Sequence, residues 1–184
     1  VVEIRHLTPD ELDNFLKFME GPAFDTNPQW SGCYCQFYLN TPEQQPDADV
    51  RAEVNRKTAC ERINAGTMNG YLAFEGDEVI GWVAANKASN FVALPPAPDG
   101  TARLICFIVE KEHQGKGVAT ELLRFAMHDL GKQGFTALEA APLASDEFAS
   151  WGYRGKLSTY LKAGFEQGPM IDDKHVLVHT KLTA

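Results

Sequence analysis

The chain has 184 residues, 44% of them hydrophobic and 23% charged, with 17 Lys and Arg against 25 Asp and Glu for a formal net charge of −8. That length suits one domain that buries about 70% of its unfolded surface without staples, while scattered basic residues in an acidic chain argue against a dedicated nucleic-acid binder. No apolar run approaches the about 18 residues needed to cross a bilayer and no basic-plus-apolar leader is present, so no membrane partner and a cytoplasmic location are expected, in keeping with four cysteines read as reduced thiols.

In chain order, Val2, Ile4 and Leu7 mark a first strand. Thr8-Pro9-Asp10-Glu11 then supplies a cap, a proline at the first helical position and an acid three residues on, which predicts a helix to about residue 19 with Leu12, Phe15, Leu16 and Met19 on its apolar face. Residues 21–46 hold four prolines together with Trp30, Cys33, Tyr34, Cys35, Phe37 and Tyr38. An irregular segment with that many apolar side chains packs over something, either as the wall of a substrate pocket or as a plain packed loop. A metal at Cys33 and Cys35 is not expected, because no second Cys or His pair stands at ligand spacing.

A polar helix over 47–64 follows, with Val50, Val54, Ala59 and Ile63 at helical intervals, and then a hairpin over 70–75 and 78–85 that turns at Gly76-Asp77. Residues 86–102, with Pro95, Pro96 and Pro98, read as a loop whose Phe91 and Leu94 shape a pocket or anchor the loop. Leu104, Ile105, Cys106, Phe107, Ile108 and Val109 form a continuous apolar run, the pattern of a strand buried on both faces. After a glycine-containing turn, Ala119, Leu122, Leu123, Ala126 and Leu130 recur at helical spacing up to Gly131. Residues 135–141 read as a strand with Glu139 on the face of Ala137 and Ala141, followed by a long aromatic loop over 144–156, a short helix over 157–163 ending at Gly164, and last strands near 165–167 and 175–182. With no repeats or linkers, the expectation is one α+β domain over 1–184 with a mixed sheet.

Strand, turn and helix around Gln114-Gly115-Lys116-Gly117-Val118-Ala119 carry a definite chemistry. First-turn N–H groups have no partner inside a helix and the helix dipole favours negative charge there, while Gly115 and Gly117 let a phosphate approach the backbone and Lys116 adds a positive charge. The P-loop spacing fails because Gly117 follows Lys116 and no glycine stands at 110. The dinucleotide fingerprint keeps Gly115, Gly117 and an acid at Glu139 but has Thr120 in its third glycine position. Gln114-x-x-Gly117-x-Ala119, five residues after Val109, closely resembles the acetyl-CoA signature of the GNAT superfamily of N-acetyltransferases, and the hairpin before the strand fits that family too.

The resemblance implies a GNAT-like α+β fold, a mixed and mostly antiparallel sheet flanked by helices. It implies acetyl-CoA as cosubstrate and no metal, with Gln114, Gly115, Lys116, Gly117, Val118, Ala119 and Thr120 on the pyrophosphate and Phe107, Ile108 and Val109 along the pantetheine arm. Tyr160, four residues before Gly164-Phe165, resembles the family's tyrosine that protonates the CoA sulfur, a task that a phenol of pKa about 10 can perform without prior ionisation. The backbone at 107–109 could supply an N–H to a developing oxyanion. Glu139 is the first candidate for the base, since an acid in an apolar strand is costly unless it faces a polar cavity; Glu110, His113, Asp146 and Glu147 stand in turns or loops, and a base acting through water would leave no mark. Cys106 reads as core before nucleophile. In place of the asparagine that many family members carry after the Glu139 strand, this chain has Pro142-Leu143-Ala144. The expected activity is acetyl transfer to a primary amine of a small molecule by direct attack in a ternary complex. Alternatives are a non-catalytic acyl-CoA sensor, another acyl group or a peptide amine; a homodimer is left open.

Overall fold

The apolar runs become seven strands of one sheet, with α-helices on both faces. A computed structural model describes residues 1–147 and 153–184. The strands are β1 (Val2–His6), β2 (Gly70–Glu75), β3 (Glu78–Lys87), β4 (Thr101–Val109), β5 (Ala137–Ala140), β6 (Glu166–Met170) and β7 (Val176–Lys181). The helices are α1 (Leu12–Glu20), α2 (Arg51–Asn64), α3 (Val118–Lys132) and α4 (Leu157–Lys162). The sheet order is β1-β2-β3-β4-β5-β7-β6, and β4–β5 is its one parallel pair among the described residues. Their contact is short. Only Thr101, Ala102 and Arg103 pair with Ala137, Leu138 and Glu139, after which β4 runs on to Val109 without β5. The two strands part into a V.

Two apolar clusters cover the sheet. One gathers Phe15, Leu16, Phe18 and Met19 of α1, Ala59 and Ile63 of α2, and Phe24, Tyr34 and Leu39 of the irregular segment against Leu72, Trp82, Ile105 and Ile108. The other sets Leu122, Leu123, Ala126 and Leu130 of α3 with Tyr160 of α4 on Tyr71, Ile80, Leu104 and Phe107. Strand alternation thus sends Ile108 to one face and Phe107 to the other, which places the two halves of the site on opposite sides of β4. No helix among the described residues is long and apolar enough to cross a membrane.

Several boundaries differ from the sequence reading for local reasons. Pro9–Glu11 forms a 3-10 turn that runs directly into α1. The helix expected from 47 begins at Arg51; Val50 and Val54 are exposed, and the buried face is Asn55, Ala59 and Ile63. The Asn55 side chain donates to the Gly32 carbonyl at 3.0 Å, so a polar residue docks this helix on the irregular segment. Helix α3 continues through Gly131 to Lys132. Gly131 is there for packing, since a Cβ would lie 2.2 Å from the Thr183 carbonyl oxygen, and the left-handed glycine after the helix is Gly134 at φ +94°. Pairing of Asn86 with Arg103 and Lys87 with Ala102 shortens the loop between β3 and β4 to 88–100.

Gly70 pairs with Ala84, and a Cβ there would meet both the Trp82 ring and the Val83 carbonyl at 2.3 Å. Neither is a flexible tip that could swing aside. Gly70→Ala is therefore expected to destabilise the fold by about 1–3 kcal/mol, seen as a lower urea midpoint at unchanged slope.

Candidate active site

Between β3 and β4 the ladder slips by one residue: Trp82 pairs with Ile108 and Ala84 with Ile105, so Cys106 and Phe107 together face Val83. Cys106 adopts φ +58°, the left-handed conformation of the first residue of such a bulge, here without the usual glycine. The bulge frees the Phe107 N–H from β3 and turns it into the V, where it donates to the Tyr153 carbonyl at 2.8 Å. Tyr160 meets Phe107 edge to face at 6.0 Å between ring centroids and Phe165 likewise at 5.2 Å. Its hydroxyl donates to the Arg154 carbonyl at 2.9 Å. Burial holds the Tyr160 phenol well above the ordinary tyrosine value, so it is a neutral donor at neutral pH. An N–H and an O–H therefore converge on one short segment, 153–155.

Just past Phe107, at the C-terminal end of β4, the Gln114 side chain folds back to donate to the Val109 carbonyl at 3.0 Å, which fixes the turn into α3. Gly115 and Gly117 have φ +75° and +88°, with nothing within 4 Å of where a Cβ would stand. Glycine is required by conformation, and the space above both is open. Gly117 caps α3, so the first-turn N–H groups of Val118, Ala119 and Thr120 point past it without acceptors inside the helix. Lys116 stands between the glycines. Such a turn suits a diphosphate. His113 is engaged nearby, with Nδ1 2.8 Å from Glu110 and Nε2 3.1 Å from Glu75, so Glu110 and His113 hold the turn together.

Glu139 sits at the apex of the V, the last residue of β5 paired with β4. Its Oε1 accepts from Arg103 Nε at 2.6 Å and also from Nη2, and Arg103 Nη2 donates in turn to the Pro95 carbonyl at 2.9 Å. Both residues are buried. The acid in the apolar strand does have a polar partner, but that partner is a guanidinium and the arrangement ties β4, β5 and the 88–100 loop. Asp146 accepts from the Ser158 hydroxyl and N–H at the start of α4, which gives it a capping part.

On the opposite face of β4 lies a cavity of about 50 Å3 walled by Trp30, Cys33, Cys35, Tyr38, Cys106 and Tyr153, with Phe24, Phe37 and Ile108. The irregular segment 21–46 supplies most of this wall. Phe91 is buried in the core and Leu94 packs against it, so both anchor their loop. Cys106 is half core, half wall, and its thiol meets that of Cys35, which also accepts from the Trp82 indole N–H at 3.3 Å. The contact with Cys106 and burial hold the Cys35 thiol well above its ordinary value, and burial raises Cys33. Sequence reasoning gave no role to Tyr153 or Arg154 within the 144–156 loop, whereas Tyr38 belongs to the segment that it offered as a pocket wall. Arg154 donates to the Ala141 carbonyl at 3.3 Å and the Tyr38 hydroxyl at 2.5 Å, with its guanidinium 4.8 Å from the Tyr38 ring centroid.

Solved structures share this architecture. The chain superposes on the PaiA N-acetyltransferase of Thermoplasma acidophilum in complex with coenzyme A with a TM-score of 0.61 at 17% identity, covering 98% of this chain and 99% of that one. The GNAT domain of PAT from S. lividans gives 0.62 at 22% identity over 98% and 90%. The ribosomal-protein-S18-alanine N-acetyltransferase of Escherichia coli gives 0.59 at 13% identity over 100% and 96%. Such identities carry the fold alone. Among curated proteins no sequence relative matches. The sequence model of the Acetyltransferase (GNAT) family matches residues 30–157, from the cavity wall through the bulged strand and glycine turn to the start of α4. With well over half its length matched, the chain belongs to the GNAT family of acetyltransferases.

Proposed function

We propose that the chain transfers an acetyl group from acetyl-CoA to a primary amine of a small molecule by direct attack in a ternary complex. The observation that carries this reading is the convergence of the Phe107 N–H and the Tyr160 hydroxyl at the V between β4 and β5, on the C-terminal part of a strand that runs on past Val109 into the Gly117 turn.

Acetyl-CoA supplies a thioester whose carbonyl carbon an amine can attack. The chain's own groups fit that chemistry. Gly115, Lys116, Gly117 and the first turn of α3 would hold the diphosphate, and the backbone of Phe107, Ile108 and Val109 would lie along the pantetheine arm. Phe107 N–H, freed from β3 by the bulge, would donate to an oxygen on which charge develops. Tyr160, which keeps its proton at neutral pH, would give it to the leaving sulfur, whose thiolate is disfavoured by the same apolar surroundings that raise the phenol. Among the described residues the wall of the apolar cavity on the other face of β4 contains no carboxylate, which supports an acceptor with a small uncharged body. Because Arg103 engages Glu139, we assign Glu139 to the ion pair and the amine's proton to water.

Tyr160→Phe is expected to lower kcat for amine-dependent thiol release by about 100-fold while CoA still binds in calorimetry; unchanged kcat would remove Tyr160 from the mechanism, and CoA binding without turnover by the native chain would favour the sensor alternative. Glu139→Gln leaves Arg103 buried without its counter-ion and is expected to cost about 3 kcal/mol of stability, with kcat kept within about threefold where the protein is folded. A loss of kcat at full stability would restore Glu139 as the base. Burial raises the folded-state values of Tyr38, Tyr71 and Tyr160, and Tyr34 is pushed up to about 12 by burial and its bond to Glu20. These tyrosines keep their protons in the folded state after the unfolded chain has lost them. Their stabilisation is complete below the unfolded value of about 10 and is lost as pH rises above it, so the urea midpoint should fall steadily above pH 10.

A further inference from the structure

Resting on the reading of Phe107 and Tyr160 as the thioester site, we infer that residues 153–155 are a built-in occupant of that site, latched by Arg154, and that acyl-CoA must displace them. Two consecutive carbonyls of this segment take the two donors that the reaction needs: Tyr153 O accepts from Phe107 N–H and Arg154 O from the Tyr160 hydroxyl. One N–H cannot serve a strap carbonyl and a substrate oxygen at full strength, so the two occupants compete. Space gives the same result. Gly155, at φ +77°, lies so close that a Cβ would stand 3.1 Å from the Phe107 ring and from the Tyr160 hydroxyl.

The closed strap carries its own strain. Tyr153 is held at φ +46°, a conformation that side chains other than glycine rarely adopt. Its hydroxyl is buried without a hydrogen-bond partner among the described residues, an unmade bond that opening toward solvent would satisfy. Against these costs stands Arg154. Its guanidinium bridges the Ala141 carbonyl just past β5 and the Tyr38 hydroxyl in the irregular segment, and lies over the Tyr38 ring, so one side chain spans both walls. Tyr153 is also part of the cavity wall, so the same displacement enlarges a space that now measures about 50 Å3. Arg154 is thus a positioning residue: it acts by setting the fraction of molecules with the site open, and apparent cofactor affinity scales with that fraction.

The test compares the native chain with Arg154→Ala, Arg154→Lys and Tyr38→Phe, using CoA calorimetry, acetyl-CoA kinetics and hydrogen exchange of the Phe107 amide without ligand. Arg154→Ala should tighten CoA binding by about fivefold or more, raise kcat/KM for acetyl-CoA through KM and not kcat, and speed Phe107 amide exchange. Arg154→Lys, which cannot bridge both partners, should fall between the two. Tyr38→Phe removes one acceptor and keeps the ring, so it should show the same direction more weakly, and it stands in should Arg154→Ala fail to fold. Folded variants with native or weaker CoA affinity and native Phe107 exchange would overturn the strap. Faster Phe107 exchange with no CoA binding by any form would uphold the latch and overturn the cofactor reading instead.

Discussion

A strand that spends all its N–H groups on its neighbours has none to offer a ligand, and β4 escapes this through one extra residue. Cys106 and Phe107 share a single partner, Val83, and the surplus N–H faces the gap where β5 has already ended. A bulge beside a fully paired neighbour would have its donor covered, so the parting of the two strands is what leaves this N–H accessible. The short parallel contact is held at its limit by the Arg103–Glu139 pair, whose charges are buried together at the last shared register position. That pair sets where the V begins, and everything at the mouth follows from its position.

The aromatic side chain of Phe107 extends the same logic to the other face. Its ring is one wall for Tyr160, Phe165 is a second, and Gly155 lies across the hydroxyl end. A tyrosine so enclosed keeps its proton because its anion would be poorly solvated, not because of any specific partner charge; the nearby Arg154 works in the opposite direction and is outweighed. Packing alone thus makes the phenol a donor and fixes where it points.

What could be seen in the sequence was whatever depends on neighbours along the chain. The hairpin, the apolar run of β4 and the Gly115 and Gly117 turn are local patterns, and the mostly antiparallel sheet flanked by helices fits the expectation that the family resemblance drew from them. Contacts made across the sheet left weaker traces. Glu139 was conspicuous as an acid needing a partner, yet the partner stands 36 positions away and becomes adjacent only through the parallel register. The bulge had no signature because a cysteine occupies the left-handed position where glycine is usual. Gly131 looked like a helix stop and is a contact point for the Thr183 backbone. Of the apolar stripe expected on α2, Ala59 and Ile63 are buried, but Val50 and Val54 are exposed and Asn55 docks the first half of the helix, so hydrophobic spacing was right only for the second half. The part of Arg154 depends on a carbonyl after β5 and a phenol more than a hundred residues earlier, which no local pattern encodes.

The thiols on the cavity wall give the molecule an internal reporter. Cys33 and Cys35 are kept protonated by their surroundings, and alkylating reagents attack the thiolate, so both are slow to react while the wall is closed. Their labelling rate is then a clock for how often solvent reaches that side of β4, readable by mass on the unmodified chain.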